Sequence, residues 1–423
     1  MFRRHWSGLP KDPSFPEDLK ALGYFVNDKD EVRLIENPDF YFKFFLSRNS
    51  RVNDRQRFAF NYALQRIIHS RLESLGLERI PLPLGTSPSQ RHVPIYASAN
   101  LGSKPRVVVI FGETVQDLGM LAGRVANGPG GIDKGSMVSV VRELGKQACS
   151  QQDGQPPGVL IANPGELYWW PDGGRSVTVA GARALPLPSA VHRGYKYVPA
   201  VNSVPCNEDS ERHVEYIFNS VLKSLANEDA VISVVAIGLC CDLVTRFLDG
   251  QEAWAVWGKR LSSMLLCGHT WPDDCLENES FKDFLAKRAR AYLVSSEPLD
   301  APLAPPSGNI YQGIPNLGCP SHSSSEPLHT EMVLIRALEP ALKYLETVAH
   351  TPNYENSPII VTEPPPQDDD DEPAQDCWDE LPDDMKPPIG KVNQEWMQTQ
   401  VDQLRSQSEA TGHVQPDDLN KSI

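Results

Sequence analysis

Hydrophobic positions along this chain change their spacing several times, and each spacing predicts an element. Residues 22–26 and 32–35 are short apolar runs on either side of Asn27-Asp28-Lys29-Asp30, a turn-forming stretch, so a β-hairpin is expected. Phe60, Leu64, Ile67, Ile68, Leu72 and Leu75 then recur at helical intervals up to Gly76, where the helix should stop. Two further short strands, 80–84 and 93–97, complete either an N-terminal β-rich cap or the opening strands of a larger sheet. From Arg106 the rhythm alters. Residues 106–111, 158–162, 231–237, 261–266 and 291–294 are apolar without alternation, as strands of a parallel sheet covered on both faces are. Helical patterns separate them, the clearest being Val214, Ile217, Phe218, Val221, Leu222 and Leu225 on one stripe. A last helix over 331–348 carries Ile335, Leu338, Leu342 and Leu345 on one side, with a kink or break expected at Pro340. Strand, helix, strand, helix is the order of a doubly wound α/β sheet.

Charge divides the chain in two. Over 423 residues the formal charge is −15, with 40 basic and 55 acidic side chains. Residues 351–423 hold 17 of the acidic and four of the basic ones, a balance of −13 that leaves −2 on residues 1–350. The near-neutral body can bury a substantial core. The tail, with Pro364-Pro365-Pro366 leading into Asp368-Asp369-Asp370-Asp371-Glu372, has too little apolar surface to offset chain entropy, and is expected to be a disordered acidic tail. An island around Trp378 and Trp396 is read as part of that disorder rather than as a stable short helix.

The same arithmetic excludes several function classes. The longest apolar run, 230–241, falls short of the roughly 20 residues of a membrane span. The N-terminus turns polar and Pro-rich without the apolar stretch of a secretory signal, so an intracellular protein is expected. Eight scattered cysteines with no CxxC imply reduced, buried thiols, with neither a zinc site nor a disulfide framework, and no metal or cofactor is expected. No basic stripe advertises direct nucleic-acid binding.

Chemistry is sought first where the strand 231–237 meets a helix expected to begin near Asp242, at Gly238-Leu239-Cys240-Cys241-Asp242. A nucleophile elbow of the GxSxG kind sits at such a junction and needs small residues two before and two after the nucleophile. With Cys240 as nucleophile, Gly238 meets that need and Asp242 does not. Asp300 and His329, with Glu297 and His322 as substitutes, complete the chain order of a triad. The reading preferred is nonetheless that Cys240 and Cys241 are small buried hydrophobes at an ordinary crossover, since no His-Gly oxyanion pair follows the first core strand and Gly112-Glu113-Thr114 stands there instead. Gly128-Pro129-Gly130-Gly131-Ile132-Asp133-Lys134-Gly135-Ser136 is not a phosphate loop, because Lys134 precedes Gly135; it reads as a glycine-rich loop with Ser136 capping the next helix. Trp169-Trp170 is either a core anchor or an exposed partner platform.

The chain resembles the fungal argonaute-binding domain family, which includes the second argonaute-binding subunit of the argonaute siRNA chaperone complex and the similar C-terminal domain of fungal class II histone deacetylases. The resemblance rests on Phe15 through Tyr24 (FPEDLKALGY), Val107 to Gly112, Asn127-Gly128-Pro129-Gly130-Gly131-Ile132, Trp169-Trp170, Phe284 through Tyr292 (FLAKRARAY), and Ser325-Glu326-Pro327-Leu328. It implies an α/β-hydrolase-like fold acting as a non-catalytic scaffold that binds argonaute and other silencing-complex subunits in small-RNA-directed heterochromatin silencing, in the nucleus and secondarily the cytoplasm. The expectation is an α/β-hydrolase-like, doubly wound, mostly parallel sheet over residues 1–350 with an N-terminal β-rich extension, then the tail over 351–423. Trp169 and Trp170 are the candidate partner-binding residues. Two alternatives stand beside it: an active esterase or thioesterase using Cys240, Asp300 and His329, and a chromatin adaptor whose acidic tail engages histones.

Overall fold

A computed structural model describes residues 8–192, 196–269 and 272–361. The chain divides into two units, Met1–Thr362 and Glu363–Ile423. Of the tail expected over 351–423, residues 351–361 belong to the first unit, where Asn356 donates from its backbone to the Lys287 carbonyl and from Nδ2 to the Ala286 and Ala289 carbonyls; the rest, with the island around Trp378 and Trp396, lies outside the described residues.

The expected hairpin forms from β1 (Tyr24–Val26) and β2 (Val32–Leu34), closed by Asp30 at φ 64°. Helix α1 (Ser50–Ser74) follows, opened by Asn49, whose side chain accepts the Arg51 N–H, and ended before Gly76 at φ 86°. Strands β3 (Leu77–Leu82) and β4 (Val93–Ser98) are the opening strands of the main sheet, not a separate cap. The other strands are β5 (Arg106–Phe111), β6 (Gly158–Ala162), β7 (Tyr168–Trp170), β8 (Arg175–Val177), β9 (Val231–Ile237), β10 (Leu261–Cys267), β11 (Ala289–Leu293), β12 (Pro302–Ala304) and β13 (Ser321–Ser323). Nine of them form one sheet in the order β12-β13-β11-β10-β9-β5-β6-β4-β3, and β7 and β8 pair in a small hairpin of their own.

From β6 through β5, β9, β10 and β11 to β13 every neighbouring pair is parallel, while β3, β4 and β12 each pair antiparallel to a neighbour. An antiparallel hairpin at one edge, an exchange of β5 and β6, and then strands added in sequence make this an α/β-hydrolase-like sheet.

Alternation along each central strand divides the core between two faces. Val108, Ile110, Val159, Ile161, Val235, Ile237 and Leu265 face α1 and the helices Met137–Leu144 and Val333–His350. Val107, Val109, Phe111, Ile232, Val234, Ala236 and Leu266 face Ser210–Tyr216 and its continuation, Leu239–Asp249 and Glu279–Arg288. Both faces are covered, which is why these strands read as unbroken apolar runs.

One expectation about helices is corrected, the break at Pro340, and a second gains detail. Val333–His350 runs through Pro340 without a break, because Ala337, Ala341, Leu342 and Leu345 are buried on both sides of it and hold the flanking turns to the sheet. The apolar stripe from Val214 to Leu225 is helical but changes winding, with a π-helical stretch at Ile217–Leu222 between α-helical turns.

Candidate functional site

Strand β9 ends at Ile237, the next helix starts at Leu239, and one residue makes the turn between them. That residue is Gly238, at φ 56° and ψ −126°. L-residues reach such a conformation only with strain, and in a nucleophile elbow the strained residue is the nucleophile. Gly238 therefore stands in the nucleophile's place, and the small residues the elbow needs at minus two and plus two are Ala236 and Cys240, both fully buried. The expectation that Cys240 occupies the nucleophile position is corrected by two residues. Cys240 instead lies in the first turn of the helix; burial, and secondarily the charge of Glu113, push its thiol pKa far up, the opposite of an activated cysteine.

The space a nucleophile would fill is taken by another side chain. A Cβ on Gly238 would overlap the carboxylate of Glu113, with Oε1 the nearest atom. Glu113 follows β5 in the segment Gly112-Glu113-Thr114, and the backbone N–H groups of Leu239 and Thr114 favour its charged form. Those are the amide after the elbow residue and an amide of the loop after the first core strand, the two sources of an oxyanion hole in this fold. A resident carboxylate thus sits where a reaction's oxyanion would. Burial, the largest influence, raises the Glu113 pKa, Glu331 adds to that, and the two amides oppose it. Across the elbow Gly268, at φ 78°, comes up against the Thr330 methyl, and a Cβ there would lie 4.0 Å from Gly238 Cα.

The remaining triad candidates are engaged elsewhere. Asp300, itself at φ 64°, accepts from the Tyr292 hydroxyl at 2.6 Å and pairs with Arg290 at 3.4 Å. His329 takes the Arg124 Nη1 donor on its Nε2 at 2.8 Å, and Arg124 Nε pairs with Glu331 at 2.6 Å. His322 pairs in register with Tyr292, which pairs with Cys267, which pairs with Ile237. Three strand spacings separate it from the end of β9, roughly 14 Å. Its pKa falls to about 4, chiefly through burial. Glu297 lies in the loop after β11, where its carbonyl accepts from Ser323 Oγ. Among the described residues, no hydrogen bond joins Cys240 Sγ to any histidine, nor Asp300 to His329. Among the described residues an acid and a histidine come within 4 Å at His269 Nδ1 and Asp242 Oδ1, 3.7 Å apart, with the imidazole pKa lowered to about 4 by burial.

The glycine-rich loop holds no anion cradle. Its amides at Ile132 and Asp133 are spent on Asp30, at 3.0 Å to the carbonyl and 2.7 Å to Oδ2. Ser136 is the N-cap residue as expected, but its hydroxyl donates to the Asp133 carbonyl instead of accepting from the helix. Of the tryptophan pair, Trp169 is 5% exposed and packs with Val93 and Val204, so it is a core anchor and not an exposed platform. Trp170 is half-buried against Phe58 and Arg175.

Two features were missed from sequence. Ala236-Ile237-Gly238-Leu239-Cys240 fits the small-x-nucleophile-x-small pattern with glycine as its centre, and searching only for a reactive side chain hid it. The second is a polar cavity around Asp117 and Glu166, formed by residues far apart in the chain.

A family model described as the Arb2 domain matches residues 15–299. No curated protein matches the chain. Solved structures similar to it include the esterase LipW of Mycobacterium marinum, at 12% identity and TM-score 0.27 over 54% of this chain and 56% of that one, so this chain spans little more than half of that esterase. Poly(aspartic acid) hydrolase-1 of Sphingomonas sp. KT-1 is 15% identical, with TM-score 0.30 over 63% of this chain and 98% of the other. The poly(3-hydroxybutyrate) depolymerase LpqC of Bordetella parapertussis is 11% identical, with TM-score 0.30 over 66% and 92%.

Proposed function

Because the chain belongs to the Arb2 domain family, matched over residues 15–299, we propose that it is a non-catalytic protein-interaction scaffold that binds argonaute in small-RNA-directed heterochromatin silencing. The observation that carries the non-catalytic half is the elbow: glycine in the nucleophile's place, with the Glu113 carboxylate filling the space beside it. A hydrolase accelerates acyl transfer by a nucleophile and by donors held open for the developing oxyanion. Here the first has no reactive atom and the second face a resident carboxyl group.

The argonaute half rests on the family. A nuclear site of action and association with other silencing subunits belong to the same proposal, and the −13 charge of residues 351–423 suits that tail to basic surfaces such as histones. Within the folded body, Trp170 is the member of the tryptophan pair with surface to offer a partner, while Trp169 holds the hairpin that presents it.

The test is capture. Immobilised full-length chain should retain argonaute from a nuclear extract, and do so equally well when Cys240 is changed to Ala. Failure of the folded chain to retain argonaute would overturn the partner, and loss of capture in Cys240→Ala, with the fold intact, would return a role to the thiol.

A further inference from the structure

Tyr62, Gln65 and Arg175 line the cavity at Asp117 and also a second one, of about 450 Å³, within the range of small-molecule sites. One wall of the second is the polar face of α1, where Arg66, His69, Ser70 and Glu73 recur at helical intervals. Opposite stand Arg79 of β3, His92 just before β4, and the turn of the β7–β8 hairpin at Gly173-Gly174. His92 is 7% exposed and firmly held. Its Nδ1 lies 2.8 Å from the Gln90 carbonyl, its own carbonyl accepts from Ser176 Oγ, and its ring packs 5.2 Å from that of Trp169. A carbonyl only accepts, so Nδ1 carries the proton and Nε2 is a bare acceptor. His69 is fixed the same way with the nitrogens exchanged: Nε2 lies 3.2 Å from the Leu118 carbonyl, the ring meets that of Tyr96 at 5.1 Å, and Nδ1 is bare. Among the described residues no donor reaches either bare nitrogen, although buried acceptors almost always have one.

The charges of the lining are not evenly spread. Arg175 is held by Glu17, which lies outside the cavity, with Nη1 and Nη2 at 3.1 and 2.7 Å. Glu166 takes donors from Gln65, Asn163 and the Leu118 N–H, and Glu73 takes the Tyr96 hydroxyl at 3.1 Å. Arg66 and Arg79 have no ion pair among the described residues. The charge of Arg79 acts on both imidazoles, and among the described residues no carboxylate acts on either. Around the two rings the cavity therefore offers bare acceptors in a positive field. A sulfate or a carboxylate answers the guanidinium but brings no proton for the imidazole; an alcohol brings the proton and no charge. A phosphate monoester brings both. We propose that this cavity binds a phosphate monoester, its ionised oxygens accepting from Arg79 and Arg66 and its P–OH donating to Nε2 of His92, the more deeply buried of the two rings.

The proton sets the pH dependence. Burial, with Arg79 adding to it, lowers the pKa of both rings, that of His69 to about 3, so both are neutral at pH 7 and neither supplies a proton. The ester must bring it, and a phosphate monoester loses its second proton near pH ~6. Arg66, Arg79 and Arg175 keep their charge throughout. Protonation of Glu73 or Glu166, the acids of the lining, removes negative charge and acts in the same sense. Binding therefore strengthens as pH falls through about 6.

The ester comes either from a small free molecule or from a phosphorylated side chain on a partner, and two probes separate them. Full-length chain is titrated calorimetrically with glycerol 3-phosphate, with acetyl-Gly-phosphoserine-Gly-amide and with sulfate, each at pH ~5.5 and ~8, either side of that ionisation. Saturable binding of at least one ester is expected, tighter at the lower pH and there at least about tenfold tighter than sulfate, the scale of one charge-assisted hydrogen bond. Glycerol 3-phosphate alone identifies a small free ester, the peptide alone a modified side chain, and both together a site open to either. Arg79→Gln, at an exposed position where the fold should be unaffected, should weaken ester and sulfate alike by at least about tenfold. His92→Asn keeps a donor for the Gln90 carbonyl and removes Nε2, so it should erase the preference for ester over sulfate and leave sulfate binding unchanged. No saturable binding of either ester, sulfate bound as tightly as the esters, or ester binding that neither substitution alters would overturn the proposal.

Discussion

At Gly238 the backbone adopts φ 56° and ψ −126°, and a β-carbon there would meet both strained dihedrals and the Glu113 carboxylate. Gly238→Ala should accordingly cost about 1 to 3 kcal/mol, the scale of one residue held in a sparsely populated region. Glu113 is flexible at its far end, so the overlap can be relieved by moving the carboxylate, at the loss of its contact with the Leu239 and Thr114 amides. The cost of Gly238→Ala should therefore shrink, without vanishing, in a Glu113→Gly background; urea unfolding of the three variants measures it, and a neutral Gly238→Ala would contradict the elbow geometry. Residue detail of this kind was half legible in the sequence. The end of the strand was placed correctly, at 231–237 followed by Gly238, because the apolar run and the glycine mark it, but the helix starts at Leu239 and not near Asp242. Its centre was displaced to Cys240 because sequence shows which side chains could react and not which backbone is strained.

At the scale of elements, the hairpin β7–β8 shows how one dipeptide serves two environments. Successive side chains of a strand point to opposite faces, so Trp169 goes into the body with Val93 and Val204 while Trp170 lies over Phe58 and Arg175 at the edge. Asn202 Nδ2 fixes the Trp169 carbonyl at 3.0 Å. Trp169→Ala should cost about 3 to 5 kcal/mol, as large-to-small core substitutions of tryptophan do, and Trp170→Ala distinctly less. Chemical denaturation of the two single variants settles the order, and equal or reversed costs would contradict it. Sequence could name the pair but not the alternation, since Tyr168-Trp169-Trp170 is aromatic throughout. The helices were legible where periodicity is regular, as in α1. They were misjudged where packing overrides a local rule, as at Pro340, whose missing N–H is tolerated inside a helix anchored on both sides.

For the whole molecule, the parallel sheet was foreseen because its strands are apolar on both faces, and the resemblance to the argonaute-binding family gave the hydrolase-like expectation that the strand order bears out. The cavity at Asp117 and Glu166 was not legible, since α1, the segments after β5 and β6, and β8 meet there only through the fold. The proposed non-catalytic scaffold rests on the Arb2 domain match and on the sealed elbow of a hydrolase-like body. The most direct measurement is p-nitrophenyl acetate hydrolysis by the purified full-length chain beside Cys240→Ala, His329→Ala and Glu113→Gln. A non-catalytic scaffold predicts turnover at the buffer background and the same in all four proteins, whereas turnover well above background that Cys240→Ala or His329→Ala abolishes would contradict it.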